Sequence, residues 1–386
     1  MRVVGKSERT VAKVLYVTHD IGFFISHRLP IALAARSNGY EVKIVGPLDE
    51  HCARLRENGL QHVTLSVPRG LMNPLGQLRS VTALARIFRR ERPDLVHLIA
   101  SKPVIVGGFI ARIMKIPSIS AISGLGHIFI DDSFSGRLKQ RLVMFAYRLA
   151  LAHRLNTVIF QNEDHRSLFV RNGVDRHRTE LIRGSGTDTD CFNPEPSDNQ
   201  IPVVLMPARM LWTKGVREFC EAAARLRRSG RPARFVMVGS PYLGNPASLT
   251  SSELDEITAA GDVEWRGHTS DISAEMHESD IIVLPSYSEG LPKTLVDAAA
   301  AGRATVTTDV PGCRDAIEPG VTGLLARSRD SADLADKIAA LLDSPELRLS
   351  MGRDGRALAL REFSIDRIVL QHMDIYRHVL GPSLRS

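Results

Sequence analysis

Two α/β domains, each built on a parallel sheet, are what this sequence predicts, and three observations predict them. The chain has 386 residues, beyond the size at which one hydrophobic core keeps growing, so two domains are the default. Short, nearly continuous apolar runs alternate with helix-compatible segments, the pattern of strands buried on both faces. A polar, proline-bearing stretch, Asn193–Pro202 (NPEPSDNQIP), interrupts that alternation, which then restarts.

The elements follow in order. VAKVLYVTH reads as the first strand, SHRLPIALAARSNG as a helix ending at Gly39, and YEVKIVGP, QHVTLSV and DLVHLIA as three further strands. A helix through GGFIARIMK, the strand PSISAIS, a long helix after Gly136 and the strand NTVIFQN complete the first half. Past the joint come VVLMPA, the helix GVREFCEAAARLRRSG, the strands RFVMVG, VEWRG and DIIVLP, the helix KTLVDAAAAG and the strand ATVTT. The final helix, SIDRIVLQHMDIYRHVL, has apolar positions at helical spacing and suits a cap on either domain. The expected division is 1–195 and 196–365, with 366–386 as a terminal helix. Ligands of open parallel sheets sit beyond the C-terminal strand ends, so a cleft between the domains is the expected active site.

Composition excludes several function classes. With 44% hydrophobic and 24% charged residues the chain reads as a soluble globular protein. The opening MRVVGKSERTVAK is short and polar, unlike a signal peptide, and no segment reaches the ~20 apolar residues that span a bilayer. Cys52, Cys191, Cys220 and Cys313 are widely spaced, without metal-ligand or redox pairing, which fits a reducing cytoplasm. Residues 1–195 carry 28 Lys/Arg against 17 Asp/Glu, the remainder 22 against 26. Arg79, Arg86, Arg89, Arg90 and Arg92 interleave with apolar residues in one basic segment; Arg137, Lys139, Arg141, Arg148 and Arg154 do so in another. Contact with an anionic membrane surface at its inner face is favoured over an ordinary solvated basic face. Nucleic acid is disfavoured, since stacking platforms and recognition motifs are absent.

Ser286–Gly312 (SYSEGLPKTLVDAAAAGRATVTTDVPG) is the most informative stretch. Glu289 precedes a helix with Pro292 in its first turn, where a missing N–H costs nothing, and Asp297 follows on the helix. Two carboxylates beside a helix N-terminus suit a phosphate-bearing, hydroxyl-rich ligand. Upstream, Arg209 and Lys214 leave the strand VVLMPA five residues apart, a natural diphosphate clamp or two surface cations at a turn. Gly239 ends a strand where the backbone can approach a ligand, and His268 in RGHTSD is placed to flank a nucleotide base. In the first half, Gly22 permits a tight loop at a strand end, with His19, Asp20, His27 and Arg28 beside it for an acceptor phosphate or hydroxyl. Asp20 serves equally as a general base or a helix cap. Ser123 and His127 in SGLGH face the expected cleft, His127 either bonding sugar or phosphate or being a satisfied structural histidine. Lys102 sits at another strand exit. GSGTDTDCF, 184–192, is a Gly-rich turn in which Asp188 caps.

SEGLPKTLVDA, preceded by ARMLWTKG and GSGTDTDCF, resembles the retaining glycosyltransferases of family 4, formerly group 1, which adopt the GT-B fold of two Rossmann-like domains facing across a cleft. THDIGFFISHRLPIALAARSNGYEV and SKPVIVGG with SGLGH resemble the branch that builds capsule, O-antigen and other glycans on undecaprenyl diphosphate. The resemblance covers residues 11–380. It implies transfer from a nucleoside-diphosphate sugar, UDP-linked hexose or N-acetylhexosamine, to a polyprenyl-diphosphate-linked saccharide. Glu289 would contact the donor sugar, with Gly290, Leu291 and Pro292 around it. Asp297 would hold the ribose, where the family usually has glutamate, and Arg209 and Lys214 would hold the diphosphate. His127 stands near Ser123, the position where many members place a catalytic histidine. The resemblance implies no metal cofactor and a last helix returning to the first domain. An epimerase or hydrolase on a similar scaffold, or a non-catalytic binding subunit, is the alternative.

Overall fold

The structure, a computed structural model, describes residues 11–65, 74–126, 129, 133–242 and 244–381, with 74–78 as backbone only. It divides into two units. One runs to Ile182 and takes the chain up again from Ile368; the other is Arg183–Arg367.

The first unit is a seven-stranded sheet: β1 (Lys13–Val17), β2 (Glu41–Gly46), β3 (Gln61–Thr64), β4 (Leu95–Ile99), β5 (Ser118–Ile122), β6 (Asn156–Phe160) and β7 (Thr179–Leu181). Every pairing is parallel, in the order β3-β2-β1-β4-β5-β6-β7. The helices are α1 (Ile21–Ser37), α2 (Cys52–Glu57), α3 (Pro74–Glu91), α4 (Ser101–Met114), α5 (Phe134–Leu151) and α6 (Glu163–Arg171). Strand side chains alternate faces, so β1 feeds two cores. Val14 and Tyr16 join α1, while Leu15 and Val17 join residues of α3, α4 and α5.

The second unit repeats the plan with β8 (Val203–Pro207), β9 (Arg234–Val238), β10 (Glu264–Trp265), β11 (Ile281–Leu284), β12 (Ala304–Thr308) and β13 (Gly323–Ala326). The order is β10-β9-β8-β11-β12-β13, again all parallel. Its helices are α7 (Val216–Arg228), α8 (Ser251–Thr258), α9 (Ile272–His277), α10 (Lys293–Ala300), α11 (Ser331–Leu342) and α12 (Pro345–Leu358). The last helix, α13 (Ile365–Leu380), places Ile368, Met373, Ile375 and Tyr376 in the α1-side core of the first sheet.

Each sheet has one point where strand order reverses, between β1 and β4 and between β8 and β11. At such switch points the crevice beyond the strand ends is free for a ligand. Two features differ from the sequence expectation. The chain changes unit at Ile182–Arg183, upstream of 195, because the Gly-rich turn that follows bonds to the second unit's own helix. Helix α1 begins at Ile21, not Ser26, because the Asp20 carboxylate caps it, accepting from the Phe23 N–H at 2.8 Å.

Candidate active site

The exits of β8, β9 and β11 are tied together by backbone contacts that only glycine allows. Met210 N–H donates to the Ser240 carbonyl at 3.0 Å and Ala208 N–H to Val238 at 2.9 Å, so β8 and β9 stay paired past their ends. Gly239 has φ +138, and a Cβ there would stand 1.9 Å from the Ala208 carbonyl oxygen; the close approach it permits is by its neighbour's backbone. Its N–H donates to the Gly267 carbonyl at 2.6 Å, which brings the loop carrying the exposed His268 to the β9 exit. Gly215, at φ +79, lies against β11's exit, where a Cβ would meet the Pro285 carbonyl oxygen at 2.2 Å. Tyr287 N–H donates to Thr213 across the same seam at 3.0 Å.

This seam joins two of the expected residues directly. The Lys214 ammonium pairs with the Glu289 carboxylate, with only 17% and 14% of the side chains exposed. A pair this far from water is electrostatically stronger than one on the surface. Arg209 is exposed, and its guanidinium lies 4.7 Å over the Tyr242 ring. Behind Glu289, burial and then the glutamate's own charge push the Cys313 thiol up to about 12, so it stays protonated. Gly290, Leu291 and Pro292 are buried, and Pro292 opens α10 without a side-chain cap.

Asp297 lies inside α10's packed face, 4% exposed. Its Oδ1 accepts from Lys293 Nζ at 2.6 Å, one turn back, and from Thr187 Oγ1 at 2.7 Å. Among the described residues Oδ2 takes no donor. The Gly-rich turn thus belongs beside Asp297, and within it Asp188 does cap, accepting from the Asp190 N–H at 3.1 Å. Thr187 and Lys293 were not singled out from the sequence. The four-residue step from Lys293 to Asp297 was available as a signal, whereas Thr187 is 110 residues away.

The first unit's candidates disperse. Gly22 is not in a loop; it lies in the first turn of α1, because Asp20 starts the helix before it. Arg28 is not at the surface but 1% exposed in the core, where Tyr16 and Tyr376 face it. Burial pulls its guanidinium down to about 10, so it stays charged at neutral pH. Beside it His97 Nδ1 bonds the Tyr376 hydroxyl at 2.6 Å, and that hydroxyl donates to Tyr16 at 2.6 Å. His27 is half-buried, stacked 4.1 Å from Phe23 and 2.6 Å from Ser26 Oγ. Lys102 lies in the first turn of α4, where burial lowers the pKa of its ammonium. Ser123 is partly buried just past β5, and His127 lies outside the described residues. Among the described residues no group of three or more His, Cys, Asp or Glu is placed to hold a metal ion.

Comparison with known proteins meets this geometry from the other side. Residues 201–344 match the family model for glycosyl transferases group 1, and residues 27–184 match a glycosyl transferase 4-like domain. The chain is 31% identical over 385 residues to the N,N'-diacetylbacillosaminyl-diphospho-undecaprenol alpha-1,3-N-acetylgalactosaminyltransferase of Campylobacter jejuni, covering 95% of this chain and 99% of that one. It is 23% identical over 318 residues to the capsular polysaccharide biosynthesis glycosyltransferase CapM of Staphylococcus aureus, covering 79% of this chain and 82% of CapM. Anabaena Alr3699/HepE, solved with UDP and glucose, shares the fold with a TM-score of 0.77 at 18% identity, over 95% of this chain and 99% of that one. Family model, full-length relative and twin parallel sheets agree: the chain belongs to the GT-B glycosyltransferases of family 4 and is a nucleotide-sugar-dependent glycosyltransferase.

Proposed function

We propose that this enzyme moves a sugar from a UDP-linked hexose or N-acetylhexosamine, with retention of configuration, to a hydroxyl of a polyprenyl-diphosphate-linked saccharide at the inner membrane surface. The observation that supports the donor half is the seam of β8, β9 and β11, which joins Lys214 to Glu289 and carries Arg209 past the β8 exit, with Asp297 fixed on the helix α10 that follows β11. The acceptor half rests on the Campylobacter relative, whose name specifies an undecaprenol-diphosphate sugar acceptor.

In this reading Asp297 Oδ2 accepts from the ribose hydroxyls, and Glu289 receives the donor sugar's hydroxyls once Lys214 turns toward the diphosphate. The bond from the anomeric carbon to the β-phosphate oxygen breaks, leaving negative charge that Lys214 and Arg209 stabilise. The acceptor hydroxyl bonds to the anomeric carbon on the same face and passes its proton to the departing phosphate oxygen. A cation aimed at developing charge is worth ~10²–10³ in turnover.

The test is release of nucleoside diphosphate from a panel of UDP- and GDP-sugars, with and without membrane lipid extract containing diphosphate-linked sugars. Extract-dependent release from a UDP-sugar with label entering lipid is expected, and Arg209→Ala should cut it about a hundredfold with the fold intact. Equal release without extract, or unchanged kinetics in Arg209→Ala, overturns the reading.

A further inference from the structure

Helix α5 turns an apolar row outward. Phe134, Leu138, Leu142, Phe145 and Leu149 follow in steps of three and four, which puts them on one helix face. All five are exposed, Phe134 by 80% and Leu142 by 62%. The opposite side, Met144, Tyr147, Ala150 and Leu151, is the one packed into the first unit's core. On the neighbouring α4, Phe109 and Ile113 are exposed as well. A contiguous apolar surface of this kind on a water-soluble fold marks an interaction site.

The arginines of α5 stand beside this row. Arg137, Arg141 and Arg148 each precede one of its leucines, a rotation of about 100° around the helix. With Arg171 at the end of α6 they line a groove of about 640 Å³, walled by Met144, Phe145 and other residues, among which there is no carboxylate. Arg141, Arg148 and Arg171 enter no ion pair among the described residues, so the groove concentrates positive charge. The other basic helix differs. Leu84, Ile87 and Phe88 of α3 are buried, and among its described residues no large apolar side chain is exposed.

We propose that the α5 face is the membrane-docking surface and that its groove takes the phosphate headgroup of an anionic phospholipid while the Phe134–Leu149 row enters the acyl boundary. Guanidinium forks match phosphate oxygens, the groove is of ligand-pocket size, and apolar row beside cationic row is the arrangement of interfacial helices. Nucleic acid would use the arginines but would leave the aliphatic row in water. The proposal deepens the membrane-surface reading above and rests on it.

Co-sedimentation of the full-length protein with vesicles tests it, using phosphatidylglycerol mixed into phosphatidylcholine and phosphatidylcholine alone. Binding to the anionic vesicles only is expected. Arg141→Glu with Arg148→Glu, and separately Leu142→Ser with Phe145→Ser, should each weaken it about tenfold or more. Arg86→Glu with Arg89→Glu on α3 should bind within about twofold of the parent, and nucleotide binding should stay unchanged in all variants. If the parent binds and both α5 variants bind equally, the groove assignment is overturned and the membrane reading stands. If the parent ignores all vesicles yet transfers sugar to a detergent-solubilised acceptor, the membrane reading itself falls. A vesicle-independent dimer broken by Leu142→Ser would give the row to a second copy and overturn the lipid assignment.

Discussion

Asp297 stands where the family resemblance implies a glutamate, one methylene longer, and two neighbours hold its carboxylate. Lys293 and Thr187 both bond Oδ1, which fixes the carboxylate's rotation and, in the proposed binding mode, leaves the second oxygen for a ribose hydroxyl. A hydrogen bond to a charged group is worth about 1.5–3 kcal/mol, so Thr187→Val should raise the donor KM roughly tenfold or more. If Asp297 holds the ribose as proposed, the effect falls on KM more than on kcat, since the ribose is remote from the bond that breaks. Thr187→Ser should restore the value. Steady-state kinetics and direct UDP titration check this, and a kcat loss with unchanged UDP affinity would remove Thr187 from ribose positioning. The arginine at 28 teaches a different lesson. It sits beside a strand exit in sequence, which suggests a ligand contact. Yet Phe24, Arg28, Ile31 and Ala35 are spaced as one helix face, and all are buried. Helical phase was the stronger signal once the helix start at Asp20 is granted.

Among the elements, the exits of β8 and β9 are the most demanding. Gly239→Ala would drive a Cβ to 1.9 Å from a carbonyl oxygen, so the paired exits must separate, at a cost of about 3 kcal/mol or more from strain and overpacking. Gly230→Ala, also at positive φ but with nothing within 4 Å of its Cβ, should cost only about 1 kcal/mol. Urea unfolding of the two variants should separate them by that margin, and equal midpoints would mean the β8–β9 exits are not rigid. The long parallel strands were legible because both faces are buried and the apolar runs are continuous. The shortest strands mark the limit: β7 is three residues, TEL, two of them exposed, and was missed, whereas the two residues of β10 were read only as part of the longer run VEWRG. Likewise the acid–cation seam was readable as separate motifs, Arg209 with Lys214 and Glu289 with Asp297. Their joining at Lys214–Glu289 depends on glycine approaches that no local pattern encodes.

At the scale of the whole molecule, stability depends on acidity through the first unit's buried histidines. Burial, then the Arg28 charge, holds His372 down at about 3, and His97 is also held well below its usual value, mainly by burial. Both are neutral in the fold, while the unfolded chain protonates them near pH 6.5. Their contribution is therefore whole above that pH and is lost progressively as pH falls toward the folded value. For His372 alone the loss between pH 7 and pH 5 is about 2 kcal/mol. Amide exchange in β1 and β4 should accelerate accordingly at pH 5, beyond the intrinsic pH effect, and His372→Leu should flatten that dependence. An exchange ratio independent of pH would refute it. His372 and Tyr376 belong to α13, and so do Ile368 and Met373, which complete the core over β1 and α1. During translation these residues emerge only after the entire second unit has been made. The first unit's sheet therefore lacks part of its α1-side cover until α13 has been synthesised.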